Sequence, residues 1–197
     1  GYTLSAFYDP NSNYMKMPKV AFNPGLLPKL TIVAAGTSYY AGMIAKYWME
    51  GLARLPVEVD IASEFRYRNS VLPDGGAALF ISQSGESLDT LMALRHAREK
   101  RQHIISLINV GESTIARESD VVLKTLAGPE ISVASTKAYT TQLAVLLCLS
   151  VDWAQKRNFL DKNKASQIMD ELSRLPTALA EVLNDKERWN ACAHELA

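Results

Sequence analysis

The residues from Phe80 to Leu94 read FISQSGESLDTLMAL, and three hydroxyls fall in six positions: Ser82, Ser84 and Ser87. Gln83 adds an amide and Gly85 a point where the backbone can come close to a ligand. The run follows an apolar, strand-like stretch and precedes a helical apolar rhythm, so it sits at the start of a helix. A helix amino terminus carries unpaired N–H groups and partial positive charge, and it holds an anion without a cationic side chain. The chemistry implied is a phosphate cradle. Plain capping accounts for only one of the hydroxyls, and no serine here has the Glu or Gln three residues on that a capping box needs.

Two further loops have the same character. Gly36, Thr37 and Ser38 close the run KLTIVAAG, and Ser132, Ser135, Thr136 and Lys137 follow Gly128, Pro129 and Glu130. The first lacks GxGxxG and the central loop lacks GxxxxGK[ST], which argues against dinucleotides and ATP and leaves a smaller phosphorylated molecule. Ser135 or Thr136 could instead cap the helix that follows. Glu130 is the best-placed carboxylate, but a lone acid does not make a general base. His96, His103 and His194 read as surface or structural residues, and Glu86 as an acid suited to a first helical turn.

These loops need a scaffold. Apolar runs at Lys29–Gly36, Val57–Ala62, Ala77–Ser82, His103–Asn109 and Asp120–Thr125 alternate with helical patterns, the mark of βαβ units and a parallel sheet. The expected fold class is α/β, doubly wound, with five parallel strands in the order 2-1-3-4-5. In that order the ligand crevice lies between the first and third strands, where the first two loops meet. Residues 1–29, with four prolines and no sustained periodicity, read as an extended arm. A long apolar helix at about 138–155 follows the fifth strand. A helical tail over 159–197 should be broken at Pro176, or restarted there.

Composition narrows the field. The chain has 197 residues, 48% of them hydrophobic, and its 21 Lys and Arg balance 21 Asp and Glu, so no field draws in a polyanion and nucleic acid is not an expected partner. Cys148 and Cys192 form neither a disulfide framework nor a metal spacing, which suits a reducing cytoplasm. Leu143–Leu149 is too short to cross a bilayer, so no membrane partner is expected. Neither a cofactor nor a metal is expected. The chain opens on Gly1, which suggests a segment of something longer.

VAAGTSYYAG, EVDIASEFRYR, FISQSGES, RESD and AGPEISVASTKAYTTQL together resemble the glucosamine-6-phosphate synthase family, the isomerising glutamine:fructose-6-phosphate aminotransferases. The resemblance covers nearly the whole chain and falls on the first of that family's two sugar isomerase (SIS) domains. It implies an SIS domain over 30–158 and a tail leading to a second one. Thr37, Ser38, Ser82, Gln83, Ser84 and Ser87 would bind the phosphate of fructose 6-phosphate or glucosamine 6-phosphate. Val133, Ser135, Thr136 and Lys137 would line the sugar end. Ser87 stands where the family more often has Thr, Ala35 where it often has Cys, and Ser132 where it often has Gly. The catalytic base, lysine and histidine belong to the second SIS domain, the carboxyl tail and a neighbouring subunit of a homodimer, and ammonia comes from a glutaminase domain. No catalytic residue is therefore expected in this segment, which should bind without turning over. The competing readings are a sugar-phosphate sensor that controls a partner, and a free-standing sugar-phosphate isomerase with its own base.

Overall fold

A computed structural model describes residues 2–130 and 135–196. Five strands form one parallel sheet: β3 (Leu30–Ala34), β4 (Val57–Ile61), β5 (Ala77–Ser82), β6 (His103–Ile108) and β7 (Val121–Lys124), ordered β4-β3-β5-β6-β7. This is the expected 2-1-3-4-5 order. The register runs without offset, with Ile32 beside both Val59 and Leu79 and Leu79 beside Ile105.

Period-two alternation sends successive side chains to opposite faces, and both faces are covered. Leu30, Ile32, Leu79, Ile81, Ile105 and Leu107 pack on one side with α2 (Gly36–Ala53) and α6 (Lys137–Lys156). Val33, Ala78, Phe80, Ile104 and Ile108 pack on the other with α3 (Ala62–Phe65), α4 (Leu88–Glu99) and α5 (Thr114–Arg117). The three central strands, β3, β5 and β6, are buried almost throughout because helices cover both faces of the sheet, while the edge strands β4 and β7 are partly exposed.

Three expectations change. The amino-terminal arm carries a helix, α1 (Tyr2–Phe7), and a hairpin of β1 (Tyr8–Asp9) with β2 (Tyr14–Met15). Phe7, Tyr8 and Leu27 enter the main core, so apolar burial rather than local periodicity orders the segment. Gly36–Ser38 is the first turn of α2 rather than a loop before it. Gly36 makes this possible with φ +57°, and a Cβ there would meet nothing, so backbone freedom alone calls for glycine. Finally, α7 (Lys162–Asn184) runs through Pro176 unbroken, its apolar stripe continuing in helical register from Leu172 to Leu175, Leu179 and Val182. α8 (Lys186–Leu196) ends the described chain.

Candidate functional site

The carboxyl ends of β3 and β5 open on a cleft of about 410 Å³, within the size range of small-molecule sites. It is lined by Ala35, Gly36, Thr37 and Ser38 at the start of α2, by Ile81 to Ser84, Ser87 and Thr90 around the start of α4, and by Glu130 and Ser135.

Neither helix is capped by a side chain. Ala35 is the N-cap of α2 and has no hydroxyl to offer, and Ser87 is the N-cap of α4 but makes no side-chain cap bond. Two sets of orphan N–H groups and two positive helix ends therefore meet one space.

The serines near α4 are spent otherwise. The Gly85 N–H donates to Ser82 Oγ at 3.0 Å and the Glu86 N–H to Ser84 Oγ at 3.2 Å, while Ser82 Oγ lies 3.4 Å from Ser87 Oγ. Ser82 and Ser84 thus accept from the backbone, Ser84 keeps a proton to give, and Ser82 and Ser87 share one hydrogen bond that leaves one of the two with a free proton. Behind Ser38, the buried Gln142 on α6 donates from Nε2 to Ser38 Oγ at 3.0 Å.

The loop between β5 and α4 is held from behind. The Asn109 N–H donates to the Gln83 carbonyl (3.2 Å), the Ile115 N–H to the Gly85 carbonyl (3.1 Å), and the Thr114 N–H to Glu86 Oε1 (2.7 Å). Glu86 thus precedes α4 and serves the first turn of α5, and the hydrogen bonds from Thr114 hold its carboxyl below the usual range. Gly85 has φ +69°, and a Cβ there would lie 2.0 Å from Ser113 Oγ, so it is required by its neighbour rather than by access to the cleft.

Seven of the ten expected binding residues share the cleft: Thr37, Ser38, Ser82, Gln83, Ser84, Ser87 and Ser135. Thr136 and Lys137 are exposed where α6 begins and are not part of its lining. Ser132 and Val133 lie outside the described residues. Glu130 lines the cleft and its Oε2 accepts from the Ala138 N–H at 3.0 Å, so the acid caps α6.

Thr90 and Gln142 had escaped the sequence reading. Thr90, 1% exposed, sits three residues after Ser87, where a helix turns the side chain back over its own amino end. Gln142 is 104 residues from its partner, and no local signal could pair them.

The histidines lie elsewhere. His103 begins β6 at the opposite edge, its ring stacked on Phe22, and His96 on α4 meets Phe65 edge to face. Burial pushes the Cys148 thiol up to about 12, which removes it as a nucleophile. Among the described residues the cleft has no lysine, arginine, histidine or cysteine in its lining. It can hold an anion through neutral donors.

A family model described as the SIS domain matches residues 28–151. The chain belongs to the SIS-domain family. The match contains all five strands of the parallel sheet and every residue lining the cleft. Over 197 residues this SIS-domain chain is 48% identical to a glutamine–fructose-6-phosphate aminotransferase (isomerizing) of Gluconobacter oxydans, covering 100% of itself and 32% of that protein. A protein of the same name from Zymomonas mobilis is 50% identical over 177 residues, 90% of this chain and 29% of the relative. The chain therefore spans about a third of the length of these curated relatives. The solved C-terminal domain of glucosamine-fructose-6-phosphate aminotransferase from Francisella tularensis superposes with a TM-score of 0.78 at 43% identity, over 80% of this chain and 44% of that one.

Proposed function

We propose that this SIS domain binds the phosphate of a hexose 6-phosphate within an aminotransferase that makes glucosamine 6-phosphate and glutamate from fructose 6-phosphate and glutamine. The observation that carries the reading is two uncapped helix amino termini opening, beside serine hydroxyls that accept from backbone N–H groups, on one cleft lined without basic side chains among the described residues. A phosphate monoester supplies acceptors and negative charge for all of these groups. In this reading Thr37, Ser38, Ser82, Gln83, Ser84 and Ser87 hold the phosphate, and Ser135, with Val133, Thr136 and Lys137, faces the sugar. The domain occupies 30–158, and the tail leads to a second SIS domain. A glutaminase domain, a homodimeric partner and a cytoplasmic setting complete the proposal. The close identity to proteins named for that reaction supports it, as does a cleft whose one acid among the described residues, Glu130, is occupied with capping a helix. Turnover then depends on groups from the rest of the enzyme.

Thermal unfolding tests the binding. A ligand at about 100 times its dissociation constant adds ~2.7 kcal/mol to stability, which raises the melting temperature of a domain this size by about 5–10 °C. Glucosamine 6-phosphate should produce that shift, and glucosamine or the Ser84→Ala variant should not. An equal response to unphosphorylated glucosamine would remove the phosphate cradle.

A further inference from the structure

Gln142 and Ser38 form a contact that packing alone does not require. Gln142 is 1% exposed on α6 and reaches across to α2, where its Nε2 donates to Ser38 Oγ at 3.0 Å. Its other amide atom, Oε1, is buried with no partner among the described residues. Buried polar atoms left unpaired are rare and destabilising, and they call for an explanation.

The chemistry of Ser38 accounts for which amide atom faces it. Serines inside helices commonly return their proton to the carbonyl four residues back, as Ser150 does to Leu146 and Ser173 to Met169, each at 2.8 Å. Ser38 is the third residue of α2, and the residue four before it, Ala34, belongs to β3. No carbonyl of its own helix is available at that distance. The Gln142 amide N–H fills an acceptor site on the hydroxyl, and a serine has one proton. That proton is left for whatever enters the cleft that Ser38 lines. Ser84 follows the same rule, accepting from the Glu86 backbone N–H.

We propose that Gln142 is a positioning residue of the cradle: it fixes the Ser38 hydroxyl as a donor toward the ligand and so favours a phosphate dianion over a neutral hydroxymethyl group. The inference rests on the reading of the cleft as a phosphate site. Gln142 touches no ligand itself and acts through Ser38.

Calorimetric titration of the 197-residue chain with glucosamine 6-phosphate decides it, using the unaltered chain, Gln142→Met, Gln142→Glu, Ser38→Ala and the double variant Ser38→Ala with Gln142→Met. Gln142→Met keeps the length and loses the donor, and affinity should fall about tenfold, the effect of one lost oriented hydrogen bond. Gln142→Glu keeps the shape but draws the Ser38 proton to itself and adds negative charge, so its loss should exceed that of Met. The double variant should bind no more weakly than Ser38→Ala alone. Unfolding without ligand separates a damaged fold from a misdirected hydroxyl, since Gln142→Met should melt within a few degrees of the parent. Unchanged affinity in both Gln142 variants, or losses that multiply in the double variant, would overturn the inference. Failure of the unaltered chain to bind any hexose phosphate would instead overturn the reading of the site beneath it.

Discussion

At Gly85 two constraints coincide, a φ of +69° and a neighbour that leaves no room for a methyl group. The left-handed conformation costs a non-glycine residue about 1–2 kcal/mol, and forcing a methyl against Ser113 adds roughly 1–3 kcal/mol of overpacking. Gly85→Ala should therefore lower the unfolding free energy in urea by about 2–5 kcal/mol and weaken ligand binding through the displaced Ser82 and Ser84. A shift no larger than the ~1–2 kcal/mol of the left-handed backbone would show that Ser113 swings away freely. The sequence made the glycine conspicuous but pointed it at a ligand, because its real neighbour lies on a different loop. A second residue ties stability to pH. Burial pushes the Asp152 carboxyl up, against the hydrogen bond from Lys156 at 2.7 Å that pulls it down. The folded chain thus holds this proton more tightly than the unfolded one. The resulting stabilisation is fully present below the ordinary carboxylate range and is lost as pH rises through the folded value. Asp152→Asn cannot titrate, so the stability difference between parent and variant should move in the parent's favour as urea unfolding is repeated from pH 7 down to about pH 4. A difference that stays flat or moves the other way would refute the assignment.

Between elements the clearest tie is Arg157, just past the end of α6. Its guanidinium donates to the carbonyls of Ala53 (2.7 Å), Pro24 (2.7 Å), Leu27 (3.2 Å) and Arg54 (3.4 Å). These belong to the end of α2 and to the short 3₁₀ turn of the arm at Pro24–Leu26. Removing a charged donor leaves these carbonyls short of a partner, and hydrogen bonds to charged groups contribute roughly 1.5–3 kcal/mol each. Arg157→Ala should cost about 2 kcal/mol or more, with hydrogen exchange quickening first in residues 24–28 and at the end of α2. Faster exchange confined to α6 would mean the guanidinium does not hold the arm. Nothing in the sequence marked this arginine, since its partners are backbone carbonyls far along the chain. The strands and their order were readable because buried parallel strands are apolar runs of recognisable length, and short crossovers leave few ways to wind them. The arm was not, because strands of two residues carry no periodicity. The continuity of α7 was hidden for a different reason: one proline reads as a break even where the apolar stripe continues on both sides.

The two ends of the molecule contrast in what they bury. Residues 2–27 insert Phe7, Tyr8 and Leu27 into the core on the α2–α6 face, and Met15, Met17, Val20 and Phe22 pack around them. Thr3 also donates its hydroxyl to the Thr125 carbonyl, just beyond β7. The other end is different: in α7 the buried residues are Ala165, Met169 and Leu172, and residues 174–195 are exposed throughout. Segments of similar length should therefore differ sharply in their contribution to stability. Fully burying a large apolar side chain is worth about 1.5–3 kcal/mol, and the chain entropy regained by a freed segment offsets part of that. Deleting residues 1–27 should lower the unfolding free energy by at least ~3 kcal/mol, a large share of the 5–15 kcal/mol typical of a domain. Deleting 177–197 should change it by no more than about 0.5 kcal/mol and leave the response to glucosamine 6-phosphate intact, because every residue lining the cleft lies between 35 and 135. Urea unfolding of the two truncated chains, read for midpoint and slope, makes the comparison. If the carboxyl-terminal deletion proved as damaging as the amino-terminal one, α7 beyond Leu172 and α8 would have to cover core surface in solution, and the open face that this structure gives them would be wrong.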